Sequence, residues 1–163
     1  MISITETIKI RSDVNIIWAF ITDFSMSLNY NRFHTNLKLP SNYSVGRMKK
    51  FNISHNFGFG NYEMVAEITE CVPPNRLCIS EYCKGAKGKG FPHSIQFNIE
   101  PHRDKSKILY TVAGTYGGKV QDISFKPILK GVMIEELLKI KNAIESSETI
   151  LKPNITPETI KPI

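Results

Sequence analysis

The 163-residue chain holds three cysteines, one tryptophan and no apolar run long enough to span a bilayer. Cys71, Cys78 and Cys83 are odd in number and lack a CxxC spacing. That argues against a disulfide framework and against a structural zinc site, and the three read as reduced, half-buried strand residues. The opening MISITETIKI has neither the basic start nor the apolar block of a secretory signal, so a cytoplasmic protein is expected. No GxSxG elbow, Cys/His nucleophile pair or terminal GK[ST] is found, and the glycines around Gly58 and between Gly85 and Gly90 lack a strand-glycine-helix context. His34, His55, His93 and His102 show no HxH or HExxH spacing and no acidic cluster beside them, so neither a metal nor an organic cofactor is expected. A net charge of +6 would suit nucleic acid or an anionic membrane, but the basic residues are scattered. The exception is Lys84, Lys87 and Lys89 in one glycine-rich loop, which reads as a solubilising hairpin tip, and no nucleic-acid partner is expected.

What the chain does have is one long amphipathic segment, residues 126 to 148. Ile128, Leu129, Val132, Met133, Leu137, Ile140 and Ile144 recur at helical spacing, with Lys130, Glu135, Glu136, Lys139, Lys141 and Glu145 mostly on the other side. Pro127 then falls in the first turn, where its missing N–H costs nothing. Such a helix cannot bury its stripe alone, and a curved antiparallel sheet is its natural partner.

Upstream the pattern is that of strands. Ile2, Ile4, Ile8 and Ile10 mark the first; Ser12 is placed to cap a helix carrying Val14, Ile17, Trp18 and Ile21. Residues 24 to 34 predict a second short helical segment. Period two then takes over, punctuated by Gly58 and Gly60, by Val72-Pro73-Pro74-Asn75-Arg76, by the lysine-glycine loop, and by Pro101-His102-Arg103-Asp104. Gly117 and Gly118 release the chain into the long helix. Residues 1–148 are expected to form one domain and residues 149–163, with three prolines, an extended or flexible tail.

Val14-Asn15-Ile16-Ile17-Trp18 followed by Asp23-Phe24, the Ser44-Val45-Gly46 step, and the run from Val65 to Leu77 through Pro73-Pro74 together resemble the START-like, or polyketide cyclase/Bet v 1, superfamily. The likeness covers roughly residues 2 to 148 and rests on packing and turn phrases. It implies an α+β helix-grip fold: a seven-stranded curved antiparallel sheet around a long C-terminal helix, with two short helices after the first strand. It further implies an apolar cavity between sheet and helix. Members of that superfamily bind lipids, sterols, quinones, polyketides or plant hormones, some catalyse aromatic ring closure or dehydration, and others assist chaperones. A shared fold transfers none of these roles by itself.

Alternation places Phe51, Tyr62, Met64, Ile79, Glu81, His93, Ile95, Phe97, Tyr110 and Val112 on the inward strand faces, with Met133 and Leu137 opposite on the helix. These are the candidate ligand-binding residues, and core packing is the alternative role for each apolar one. His93 among Phe91, Ile95 and Phe97, and Glu81 beside Leu77 and Ile79, are buried polar positions that need partners and are candidate acid–base groups. Tyr62 and Tyr110 offer hydroxyls to a carbonyl-bearing ligand. Three functions follow: binding or transport of a small hydrophobic molecule by a monomer or homodimer, a cyclase/dehydratase-like enzyme, and a chaperone co-activator-like interaction module.

Overall fold

The opening alternation becomes β1 (Ile2–Ile10) because its isoleucines share one side of the pleat: Ile2, Ile4 and Ile10 are buried while Ser3, Thr5 and Thr7 face water. The computed structural model describes residues 1–46, 49–58, 60–83 and 90–151. After β1 come α1 (Val14–Thr22), α2 (Phe24–Ser27) and a 3-10 turn at Leu28–Tyr30. The cap of α1 is Asp13, not Ser12: the Asp13 carboxylate accepts the Asn15 backbone N–H at 2.7 Å. A carboxylate satisfies that N–H and also faces the positive end of the helix. Ser12 is buried instead, its carbonyl accepting the Ser106 hydroxyl at 2.7 Å.

Six further strands complete one antiparallel sheet: β2 (His34–Lys38), β3 (Lys50–Asn56), β4 (Asn61–Val72), β5 (Arg76–Cys83), β6 (His93–His102) and β7 (Lys105–Gly114). Their order is β1-β7-β6-β5-β4-β3-β2, a meander with the first strand closing beside the last. Inward residues alternate as expected; Leu77, Ile79 and Glu81 of β5 are each at most 1% exposed. Cys71, Cys78 and Cys83 are free and half-buried. The lysine-glycine loop falls, but for Gly90, outside the described residues.

The long helix, α3 (Lys119–Leu151), starts seven residues before the position expected from its apolar pattern. The reason is Asp122, whose carboxylate accepts the Tyr116 backbone N–H at 2.6 Å and the Thr115 hydroxyl at 3.1 Å, tying the incoming chain to the first turn. Pro127 therefore sits inside the helix rather than at its start. It removes the N–H that would pair with the Ile123 carbonyl, and its exposed position leaves that carbonyl to water. Pro127→Ala is expected to raise stability by about 1–3 kcal/mol in urea unfolding. A loss of stability would show that the fold depends on the proline's effect on the helix axis.

The stripe also needs two corrections. Ile128 is 50% exposed, whereas Glu136, expected on the solvent side, is 2% exposed. Counting from Leu129, the steps of three, one, three, one and three lead through Val132, Met133, Glu136, Leu137 and Ile140, so Glu136 belongs to the buried face. The architecture is thus an α+β helix grip, with α3 across the sheet's concave side. No helix among the described residues is long and apolar enough to cross a membrane. Of the expected tail, residues 149–151 continue α3, and residues 152–163 lie outside the described residues.

Candidate functional site

The concave face gathers polar side chains from four strands into one buried group. His34 opens β2 and pairs with His55 of β3; Glu81 of β5 pairs with His93 of β6. On β4 the residue opposite Glu81 is Ala66, whose methyl leaves room above the strand for the carboxylate to reach toward β3. His55 Nε2 lies 2.8 Å and His93 Nε2 3.7 Å from the same Glu81 oxygen, Oε2. The His34 and His55 rings meet edge to face at 4.6 Å. Gly114, paired with His93, completes the setting: a Cβ there would lie 2.6 Å from that of His93 and 2.5 Å from the Pro92 carbonyl oxygen. Only a glycine lets β7 approach so closely.

Two of the rings are held in a defined tautomer. His34 Nδ1 lies 2.6 Å from the Leu28 carbonyl, and His93 Nδ1 lies 2.6 Å from the Phe91 carbonyl. A carbonyl can only accept, so each Nδ1 donates and each Nε2 carries the lone pair when the ring is neutral. His55 and Glu81 are close without the alignment of a hydrogen bond. Both ring nitrogens of His55 and both oxygens of Glu81 are buried without a hydrogen-bond partner.

The electrostatics follow from burial and proximity. Burial alone would push the Glu81 carboxyl up, but His93 and His55 together hold it down, at about 2. Burial, reinforced by the neighbouring His55, lowers His34 to about 4. Burial lowers His93 as well, against the pull of Glu81. At neutral pH an ionised carboxylate therefore sits beside two uncharged imidazoles.

A second buried group lies under α3. Glu136 Oε2 accepts Asn31 Nδ2 at 2.9 Å and the Tyr110 hydroxyl at 3.0 Å. Burial raises the Glu136 carboxyl to about 7 despite these two donors, and burial also pushes Tyr110 well above its ordinary value.

Aromatic rings separate the histidine group from solvent. Phe57 packs at 5.1 Å on His55, Phe91 stacks at 4.8 Å on His93, and both rings touch Phe125 of α3. Phe125 in turn forms the wall of a groove of about 460 Å³ between β4 and the start of α3, lined also by Tyr62, Tyr116, Val120, Gln121, Ser124 and Ile128. Its walls are mainly apolar, and the Tyr116 hydroxyl is buried without a hydrogen-bond partner.

The residues singled out from the sequence separate accordingly. Glu81 and His93 are brought together in the buried group, and Tyr62 lines the groove. Tyr110 joins Glu136. Phe51, Met64, Ile79, Ile95, Phe97, Val112, Met133 and Leu137 all face inward in the core, each at most 5% exposed. His34, His55, Asn31, Glu136, Tyr116 and Phe125 escaped sequence reasoning as site residues. For His55 a signal existed: it shares the parity of the inward Phe51 and Ile53. His34, His55 and Glu81 bring potential metal-donor atoms within 4.8 Å of one another, although no spacing along the chain announces it.

No protein-family model matches the chain, and no curated protein matches it. Solved structures do. A conserved protein from Geobacillus kaustophilus matches with a TM-score of 0.71 at 19% identity, over 90% of this chain and 97% of that one. A START superfamily protein from Mycobacterium smegmatis gives 0.68 at 14% identity, over 92% and 99%. A protein of the dynemicin biosynthetic locus gives 0.62 at 14% identity, over 89% of this chain and 48% of its own. At such identities the likeness is one of backbone alone, and with the sheet and helix described above it shows that the chain has the START-like, helix-grip fold.

Proposed function

We propose that the chain binds a small hydrophobic molecule, such as a lipid, sterol, quinone or polyketide-like compound, in the groove between β4 and the start of α3. The observation that carries this reading is the Tyr116 hydroxyl, buried without a hydrogen-bond partner beside a mainly apolar groove. A ligand carbonyl or hydroxyl would satisfy it once the ring turns its oxygen into the groove, and burial keeps that phenol protonated by pushing its pKa up to about 12. The groove's volume of about 460 Å³ falls in the range of ligand pockets. Val120, Phe125 and Ile128 supply apolar surface, with Gln121, Ser124 and the Tyr62 hydroxyl as further polar handles. Inward residues such as Met64, Ile95 and Leu137 come into reach if Phe57, Phe91 and Phe125 swing aside.

Native mass spectrometry of the purified protein, with extraction of whatever it retains, tests the reading. A stoichiometric apolar compound is expected. Tyr116→Phe should then weaken its binding about 3- to 10-fold, the worth of one hydrogen bond. Ile128→Asp, at an exposed position the fold tolerates, should weaken it about 10-fold or more by placing a charge on the apolar wall. An empty protein showing no thermal shift with lipids, sterols, quinones or aromatic polyketides would sink the proposal. Weight would then pass to an interaction module. Its natural surface is the exposed stripe of α3 formed by Val120, Ile123, Ile134 and Leu138, whose steps of three, eleven and four keep one face.

A second reading, acid–base catalysis of the cyclase/dehydratase kind, is favoured by the convergence of His93 and Glu81 at 3.7 Å. It requires that His93→Ala abolish turnover of a bound polyketide-like substrate while leaving its binding intact.

A further inference from the structure

We propose that His34, His55 and Glu81, with His93 alongside, form a binding site for a divalent transition-metal ion of the zinc type. This stands independently of the groove and its ligand. The donor set is two or three imidazoles and one carboxylate, converging from four strands, with the donor atoms of His34, His55 and Glu81 within 4.8 Å of one another. Nitrogen-rich sets with a single carboxylate suit Zn²⁺ and neighbouring first-row ions rather than Mg²⁺ or Ca²⁺, which demand oxygen.

Three observations go beyond mere proximity. First, the Nδ1 of His34 and of His93 each donates to a backbone carbonyl at 2.6 Å, which leaves Nε2 as the lone-pair atom. Ligating histidines are fixed in this way: the outer N–H is anchored and the inner nitrogen aimed. Second, His55 Nδ1 and Glu81 Oε1 are buried without a hydrogen-bond partner, while His55 Nε2 and Glu81 Oε2 face each other at 2.8 Å. A polar core cluster kept for stability alone would be expected to complete those bonds, because each orphaned buried group is costly. A cation gives the carboxylate and the imidazole lone pairs one shared partner.

Third, the spacing suits insertion. Donors about 2.1 Å from a tetrahedral ion lie roughly 3.4 Å from each other. The contacts to Glu81 Oε2, 2.8 Å from His55 and 3.7 Å from His93, bracket that value, while the donors of His34, His55 and Glu81, within 4.8 Å of one another, must draw closer by side-chain adjustment. Phe57 and Phe91 cover the rings and keep the site apolar around its ligands. With His93 as the fourth donor the resulting centre is closed by protein ligands, as structural zinc sites are.

The test is titration of the chelator-treated full chain with Zn²⁺ and, separately, Co²⁺. One ion per chain is expected, with a Co²⁺ visible spectrum of four-coordinate nitrogen and oxygen ligation and no thiolate charge-transfer band. His34→Ala and Glu81→Gln should each weaken Zn²⁺ binding by at least the ~100-fold that loss of a second-shell partner already can cause. His102→Ala, remote from the cluster, should leave it unchanged. Failure of the wild type to bind one equivalent at micromolar protein would overturn the proposal. So would Zn²⁺ affinity that survives in both folded cluster variants, since the ion would then sit elsewhere. Should the variants fail to fold, X-ray absorption on the Zn²⁺-loaded wild type decides: two or three imidazoles support the site, while sulfur ligation or fewer imidazoles refutes it.

Discussion

Replacing Glu81 by alanine is expected to lower stability at pH 7 by about 1–3 kcal/mol, the cost of leaving buried polar groups without their partner. Its carboxylate lies 2.8 Å from His55 and 3.7 Å from His93, with none of its side chain exposed. Removal leaves two buried imidazoles without their acidic neighbour and a void on the inner face of β5. Acid should reveal the same group. The folded pKa of Glu81 is depressed from 4.5 to about 2, so its contribution is complete above pH 4.5 and lost as pH falls through about 2. His34, depressed from 6.5 to about 4, likewise favours the fold above pH 6.5, and that advantage is lost as pH falls through about 4. Urea unfolding between pH 2 and 7 would show Glu81→Ala retaining the His34 component and losing its own. A cost below about 1 kcal/mol at pH 7 would mean that the cluster is not an energetic unit.

Glu136→Gln should act in the opposite direction and at the opposite end of the pH scale. The carboxyl is raised from 4.5 to about 7, so its stabilising neutral form is fully present below pH 4.5 and is lost as pH rises through about 7. Above that point the wild type holds a charge between Asn31 and Tyr110 in a dry interior. Glutamine keeps an oxygen acceptor for both donors and carries no charge. The variant is therefore expected to gain up to about 3 kcal/mol over the wild type at pH 8 and nothing at pH 4. A further consequence appears between these limits. In the wild type the loss from Glu136 and the gain from His34 run against each other between pH 4.5 and 6.5, flattening the profile. In Glu136→Gln, stability should climb through that window unopposed. Equal stability of the two proteins at pH 8 would show that Glu136 is not buried as a strained acid.

Much of this protein was legible in its residues. Period-two alternation placed Leu77, Ile79, Glu81, Ile95, Phe97, Tyr110 and Val112 on the inner face, and each is there, because a strand's side chains can point only one of two ways. The long helical pattern located α3 and its partner sheet, while the turn phrases led to the grip. Other features depended on contacts distant in sequence. The start of α3 moved to Lys119 because Asp122 holds Thr115 and Tyr116, and Asp13 took the cap that Ser12 was expected to fill. Glu136 looked like a surface charge until Asn31, 105 residues away, and Tyr110 were seen to meet it.

The histidine group shows the boundary most sharply. His34, His55, Glu81 and His93 are spread over four strands with no regular spacing, and each side chain's inward direction was at best a local inference. Sequence alone determined the alternation and the amphipathic helix, since these arise from periodicities of the backbone itself, and its resemblance to the START-like superfamily implied the helix grip. Tertiary structure decided which inward polar groups meet, because strand order, register and sheet curvature bring together residues that no local pattern connects.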